Sequence, residues 1–93
     1  MACSEITQQV KEAGIIAIIR GSFALADMQR IAEALQAGGV RVMEVTLNSS
    51  DALKAITRLR KRNGDDLLVG AGTVRTAPQV EKALAAGAQF IVS

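Results

Sequence analysis

Four short apolar runs, spaced evenly along the chain, constrain the fold of this sequence more than any other feature. They occupy residues 15–19, 40–47, 67–71 and 89–93, and each starts 22 to 27 residues after the previous one. Continuous apolar runs of this length are typical of strands buried on both faces, as in parallel sheets. A segment with helical periodicity lies between successive runs, so the sequence predicts a β-α-β-α-β-α-β series.

Capping residues and apolar stripes mark the helical segments. We expect Ser22 to cap the first helix of the series, and Thr76 with Gln79 to form a capping box at the start of the last. The buried stripe of that last helix is expected to be Val80, Ala83, Leu84 and Gly87. A short leading helix, ended by Gly14, is predicted before the first strand.

This order predicts an α/β fold of the parallel (β/α)8 barrel type, also called a TIM barrel. Residues 1–93 would form the N-terminal half of a single barrel domain, with a leading helix and strands 1 to 4. The near-identical segments ALQAG at 34–38 and ALAAG at 83–87 precede alternate strands, as an array of β/α units would show. Half a barrel leaves strand edges unpaired, so we expect either further sequence or a partner at those edges.

Composition excludes several classes of function. The net charge is only +2, and the basic cluster at 58–62 ends a predicted helix without interleaved aromatic residues, so no nucleic-acid partner is expected. No apolar stretch approaches the roughly 18 to 20 residues of a membrane span. The chain has no histidine, the commonest catalytic metal ligand, and a single cysteine, Cys3. We therefore expect a cytoplasmic protein that has no internal disulfide and no membrane partner.

Polar side chains occur at the predicted carboxyl ends of the strands, where parallel α/β folds bind ligands. These residues are Arg20, Glu44, Thr46, Asn48 and Thr73. Because Glu44 interrupts an apolar strand, we expect burial to raise its pKa, which suits proton transfer near neutrality. With a fixed cation and several donors nearby, the set suits a small anionic substrate such as a 2-oxo acid.

Each of these residues also has a structural alternative that the sequence leaves open. Glu44 could form a buried ion pair with Arg20, and Arg20 could instead border a turn at the surface. Thr46 and Asn48 could stabilise the turn after the second strand. The Gly-Ala-Gly at 70–72 lacks the third glycine of a dinucleotide-binding loop and is more typical of close backbone packing.

The lysines argue against a complete Schiff-base site within these 93 residues. All four, at positions 11, 54, 61 and 82, fall in predicted helices. A lysine that forms a Schiff base needs a desolvated position that lowers its pKa. The sequence predicts no lysine in such a position.

Four segments of the chain together resemble the class I aldolases that act on 2-keto-3-deoxy-6-phosphogluconate (KDPG) and 4-hydroxy-2-oxoglutarate (KHG). They are IIAIIR at 15–20, AGGVRVMEVTLN at 37–48, VGAGTV at 69–74 and AGAQFIVS at 86–93. The resemblance implies a (β/α)8 barrel, usually a homotrimer, that works without a metal or other cofactor. It implies cleavage of KDPG to pyruvate and glyceraldehyde 3-phosphate, or of KHG to pyruvate and glyoxylate, through a lysine Schiff base.

The resemblance also implies roles for individual residues. Glu44 would shuttle the proton that interconverts imine and enamine, Thr73 would hold the pyruvate carboxylate, and Arg20 would lie at the substrate mouth. Many members carry arginine where this chain has Asn48. Asparagine occurs there in sequences similar to 2-dehydro-3-deoxy-6-phosphogalactonate aldolases, so the resemblance leaves gluconate and galactonate substrates open. The Schiff-base lysine of the family belongs to a later strand.

Overall fold

A computed structural model of the protein describes residues 3–93, with side chains from residue 5 onward. Its elements, in chain order, are α1 Cys3–Ala13, β1 Ala17–Ile19, α2 Leu25–Ala37, β2 Val42–Thr46, α3 Ala52–Asn63, β3 Leu68–Gly72 and α4 Ala77–Ala86. A short 3₁₀ turn, Gly64–Asp66, precedes β3. The predicted alternation of strands and helices is confirmed across these elements.

The three strands form one parallel sheet in the order β1-β2-β3. Its register pairs Ile18 with Glu44 and Glu44 with Gly70, and it pairs Thr46 with Gly72. Residues paired in this way point to the same side of a sheet, and successive residues of a strand alternate between sides. We call the side that carries Glu44 the Glu44 face and the opposite side the helix face.

The helix face of the sheet forms the hydrophobic core. Its strand residues Met43, Val45, Val69 and Ala71 are 0% exposed. They cluster with buried residues of α2, α3 and α4, namely Met28, Ala32, Ala52, Ala55, Ile56, Leu59 and Ala83. This is the layered arrangement that parallel β/α units require, because each crossover helix returns over the sheet.

The first strand is shorter and more exposed than the sequence predicted. It begins at Ala17 instead of residue 15, and Ile15 and Ile18 are 66% and 61% exposed. The prediction that this strand is buried on both faces is therefore wrong for the Glu44 face. The physical reason is that β1 is an edge strand, and nothing within residues 3–93 covers Ile18.

The predicted fourth strand lies where it was expected but forms only an isolated parallel bridge, between Ala71 and Ile91. The Ala71 amide donates to the Phe90 carbonyl at 3.0 Å, and the Val92 amide donates to the Ala71 carbonyl at 2.8 Å. The Val69 amide instead donates to the side-chain Oε1 of Gln89 at 3.0 Å. Because a side chain takes the place of a backbone carbonyl there, the regular ladder does not extend.

Two predictions about helix starts have opposite outcomes. The capping box is confirmed, since the Gln79 amide donates to Thr76 Oγ1 at 3.3 Å and Gln79 Oε1 accepts from the Thr76 amide at 3.2 Å. The prediction that Ser22 caps the helix between β1 and β2 is wrong. That helix, α2, starts later in the chain, with Ala24 in the capping position and no side-chain cap.

The buried stripe of α4 is narrower than predicted. Ala83 is 0% exposed, but Leu84 is 54% exposed, so the prediction that Leu84 is buried is wrong. The helix α4 packs on α3, where Thr57 Oγ1 donates to the Ala86 carbonyl at 2.8 Å. Leu84 is not among the hydrophobic residues that pack against the core. None of the described helices is both long enough and apolar enough to cross a membrane.

Candidate active site

The carboxylate of Glu44 is buried in the middle of β2. The residue is 6% exposed, and its register neighbours on the Glu44 face are Ile18 and Gly70. The carboxylate lies against Gly72, where a Cβ atom would occupy the space of the Glu44 oxygen, and the ring of Phe90 covers Gly70 in the same way. The close backbone packing predicted for the Gly-Ala-Gly segment is therefore confirmed.

The environment of Glu44 favours the protonated form of its side chain. Burial raises the pKa of the Glu44 carboxyl above its ordinary value, and the positive charge of Arg20 offsets part of that rise. This is the direction that the sequence predicted. A carboxyl shifted in this way can both accept and donate a proton closer to neutral pH than an exposed glutamate can.

Arg20 and Thr73 meet at the carboxyl-terminal edge of the sheet. Arg20 follows β1 and Thr73 follows β3, and Arg20 Nη2 donates to Thr73 Oγ1 at 3.3 Å. Thr73 has a φ of 55°, in the left-handed region that non-glycine residues seldom adopt. Because Arg20 is exposed, the alternative of a buried ion pair with Glu44 does not describe this arrangement.

Thr46 and Asn48 lie at the same edge but in different environments. Thr46 is 0% exposed, and its Oγ1 is hydrogen-bonded to the Ile19 carbonyl at 3.4 Å and to Ser49 Oγ at 2.8 Å. This favours the turn-stabilising alternative for Thr46. Asn48 is exposed in the loop that follows β2. The structure thus brings Arg20, Glu44 and Thr73 together, with Thr46 used within the fold.

Sequence reasoning missed Ser49. It is 7% exposed, and its Oγ accepts a hydrogen bond from the Gly21 amide at 3.0 Å. In the sequence it belongs to an ordinary polar loop, Asn48-Ser49-Ser50, with no signal that separates it from its neighbours. Only the approach of the loop after β1 buries it.

The four lysines lie on helices, as predicted. Lys11 is on α1, Lys54 and Lys61 are on α3, and Lys82 is on α4, all exposed. Within the described part of the chain, no group of three or more histidine, cysteine, aspartate or glutamate side chains is arranged to hold a metal ion. The site as described therefore consists of a buried acid, a cation and hydroxyl groups.

Parallel β/α units make this chain an α/β protein, and proteins of that class bind ligands at the carboxyl-terminal edge of the sheet. The family model described as KDPG and KHG aldolase matches residues 6–93. The chain belongs to the KDPG and KHG aldolase family.

Three similar proteins show the extent of the match. The 2-dehydro-3-deoxy-phosphogluconate aldolase of Treponema pallidum is 49% identical over 67 residues, which are 72% of this chain and 31% of that protein. The crystal structure of the Zymomonas mobilis ZM4 aldolase with 3-phosphoglycerate has a TM-score of 0.84 at 39% identity, and the match covers 99% of this chain and 43% of that one.

A third relative was solved with a reaction intermediate. The Legionella pneumophila KDPG aldolase, with pyruvate captured at low pH as a covalent carbinolamine intermediate, has a TM-score of 0.74 at 44% identity. The match covers 84% of this chain and 37% of that one. The chain thus spans 31% to 43% of the length of these three relatives.

Proposed function

We propose that residues 1–93 are the N-terminal half of a (β/α)8 barrel, comprising strands 1 to 4, and carry the acid/base part of a class I aldolase site. The complete enzyme cleaves KDPG to pyruvate and glyceraldehyde 3-phosphate, or KHG to pyruvate and glyoxylate, without a metal. The observation that carries this proposal is the buried Glu44 carboxyl beside Arg20 and Thr73. The family match over residues 6–93 supports it.

Glu44 moves the proton that interconverts the pyruvate enamine and imine. After the carbon–carbon bond breaks, the neutral carboxyl donates its proton to the enamine carbon, and the C=N bond of the imine re-forms. In the reverse direction the carboxylate removes that proton. Burial raises the pKa of Glu44, which brings its acid and base forms closer to balance at neutral pH than in an exposed glutamate, as a group that alternates between acid and base needs.

Arg20 and Thr73 bind the carboxylate of the 2-oxo acid. Their side chains already meet at 3.3 Å, so a carboxylate at this point can accept hydrogen bonds from both. Asn48 adds an uncharged contact from the loop after β2. Thr46 supports these residues from within the fold, because its hydroxyl is hydrogen-bonded to the Ile19 carbonyl.

The Schiff-base lysine comes from outside these 93 residues. All four lysines of the chain are exposed on helices, and none lies in a strand or directly after one. The carbinolamine captured in the Legionella relative supports covalent chemistry with pyruvate in this family. The resemblance adds a homotrimeric assembly to the proposal, and the composition adds a cytoplasmic location.

The test uses the natural full-length protein. Pyruvate release from KDPG and from KHG is followed with lactate dehydrogenase and NADH, and borohydride reduction in the presence of labelled pyruvate is followed by peptide mapping. We expect cleavage, and label on one lysine beyond residue 93. A Lys82→Gln variant serves as the control and should be labelled like the wild type. Label on Lys54 or Lys82 would contradict the placement of the nucleophile.

A second candidate function, a non-catalytic scaffold that self-associates, is favoured by one observation. The outer edge of β1 pairs with no other described strand, and Ile15 and Ile18 expose 66% and 61% of their surfaces beside it. Unpaired apolar edges of this kind promote association between chains. Light scattering separates the candidates, because a soluble monomer of the 93-residue chain with a sharp unfolding transition excludes the scaffold.

A further inference from the structure

The loops that follow β1 and β2 are joined by a buried chain of hydroxyl groups centred on Ser49. Ser49 Oγ lies 3.0 Å from the Gly21 amide and 2.8 Å from Thr46 Oγ1, and Thr46 Oγ1 lies 3.4 Å from the Ile19 carbonyl. Both hydroxyl-bearing residues are buried. Buried polar networks of this kind fix the geometry of the groups that they join.

The direction of each hydrogen bond follows from counting donors. The Gly21 amide can only donate, so Ser49 Oγ is the acceptor in that bond. Ser49 then donates its single proton to Thr46 Oγ1, and Thr46 donates its own to the Ile19 carbonyl. Each of the three donors in this hydrogen-bond network is used once, so the network is complete without any further group.

This network forms hydrogen bonds to the backbone on both sides of Arg20. The Ile19 carbonyl precedes Arg20 and the Gly21 amide follows it, and both are attached to the end of β2 through Thr46 and Ser49. Gly21 has a φ of 141°, a conformation that glycine adopts at little cost and can also leave easily. The bond that the Gly21 amide donates to Ser49 fixes the backbone just after Arg20, and the longer bond from Ser50 Oγ to the Phe23 carbonyl, at 3.4 Å, joins the same two loops further along.

We propose that Ser49 is a positioning residue that holds Arg20 at the substrate mouth without itself touching the substrate. The inference rests on the proposed function, in which Arg20 binds the carboxylate of a 2-oxo acid. Arg20 is exposed, and in the described structure its guanidinium donates a hydrogen bond to Thr73. The backbone that Ser49 and Thr46 fix therefore helps to determine where that guanidinium lies.

The test is a double-mutant cycle in the full-length enzyme, with Ser49→Ala, Arg20→Ala and both together. We expect Ser49→Ala to raise KM about tenfold with a smaller change in kcat, because it loosens the binding of the carboxylate. In the Arg20→Ala background the same change should have almost no effect, since the residue that Ser49 positions is gone. Ser49→Thr, which keeps the hydroxyl, should restore KM to within about threefold.

Ser22→Ala is the matched control, because it removes an exposed hydroxyl from the same loop as Gly21 and should leave KM unchanged. Amide hydrogen exchange gives a second readout that does not depend on activity. The Gly21 amide should exchange at least about tenfold faster in Ser49→Ala than in the wild type or in Ser22→Ala. If Ser49→Ala does not fold, Ser49→Cys takes its place in both measurements, since sulfur is a weak acceptor.

The outcomes separate this inference from the proposed function. The positioning role is overturned if the effects of Ser49→Ala and Arg20→Ala on KM are additive, or if Gly21 amide exchange is unchanged in Ser49→Ala. Either result leaves the proposed aldolase function intact. A wild-type protein that neither cleaves the phosphorylated substrate nor traps pyruvate overturns the proposed function and this inference with it.

Discussion

The two faces of the sheet are built from the same three strands, yet they differ in the residues that they carry and in what packs against them. The helix face carries Met43, Val45, Val69 and Ala71, all 0% exposed and packed under three helices. The Glu44 face carries a desolvated carboxyl and two glycines, one making room for Glu44 and the other for Phe90. The comparison teaches that one face of a sheet can supply the buried apolar core while the other face holds an ionisable group where burial raises its pKa.

The largest expected effect is the loss of kcat when the proton-transfer group on the Glu44 face is removed. In the full-length enzyme, Glu44→Gln keeps the size of the side chain but cannot exchange a proton, so kcat should fall by about 10²- to 10⁴-fold. The measurement is steady-state pyruvate release. Glu81→Gln, an exposed change on α4, is the matched control and should leave kcat unchanged. If the Glu44→Gln enzyme keeps the wild-type kcat, Glu44 does not transfer the proton.

Two neighbouring isoleucines of β1 allow the contribution of each face to stability to be compared directly. Ile19 belongs to the core on the helix face and is 4% exposed, whereas Ile18 on the Glu44 face is 61% exposed. Ile19→Ala should therefore lower the free energy of unfolding of the 93-residue chain by about 2–4 kcal/mol. Ile18→Ala should cost under about 1 kcal/mol. Urea unfolding measures both, and equal costs would show that Ile18 is covered in solution.

A smaller effect tests the fit between Glu44 and Gly72. Gly72→Ala would place a methyl group in the space of the Glu44 carboxylate, so it should destabilise the protein by about 1–3 kcal/mol. In a Glu44→Ala background the cost should largely vanish, because the side chain in conflict is absent. Gly38→Ala, at the exposed end of α2 where φ is −84°, is the control. Equal costs in both backgrounds would show that the conflict lies elsewhere.

The smallest effect is the pH dependence of stability that Glu44 introduces. Burial raises the pKa of Glu44 in the folded protein above its unfolded value, which is roughly 4.3. Below that pH the residue is protonated in both states. As the pH rises, the unfolded chain ionises first, so the stability contributed by neutral Glu44 is lost as the pH passes through the folded pKa.

Glu44→Gln should therefore become more stable relative to the wild type as the pH is raised from about 4 to 8. Urea unfolding of both proteins across this range measures the difference. The charge of Arg20 opposes the shift, so Arg20→Gln should enlarge the pH dependence. A stability difference that is constant with pH would show that burial does not perturb Glu44.

Much of the fold was predictable because local patterns agree with the tertiary arrangement. The Thr76–Gln79 capping box is a contact within one helical turn, so its residues alone specify it. The evenly spaced apolar runs correctly predicted the alternation of strands and helices. Predictions failed where a distant element decided the outcome, as for Ile18 and Leu84, whose exposure depends on what packs against them.

In the candidate site, too, some features could be predicted from the sequence and others could not. That Arg20, Glu44 and Thr73 come together follows from the rule that parallel strands end at one edge, so the sequence sufficed. The burial of Ser49 and the use of the Thr46 hydroxyl within the fold depend on the path of the loop after β1. That path is fixed by contacts across 27 or more residues, which no local pattern records.

By itself, the sequence determined the order of strands and helices and the family of the chain, because each depends on local periodicity or on residue identity. Only the tertiary structure decided which side chains are desolvated and which hydroxyls are already hydrogen-bonded. The physical reason is that burial and the pKa of Glu44 depend on all the atoms that surround a group, and those atoms come from distant parts of the chain.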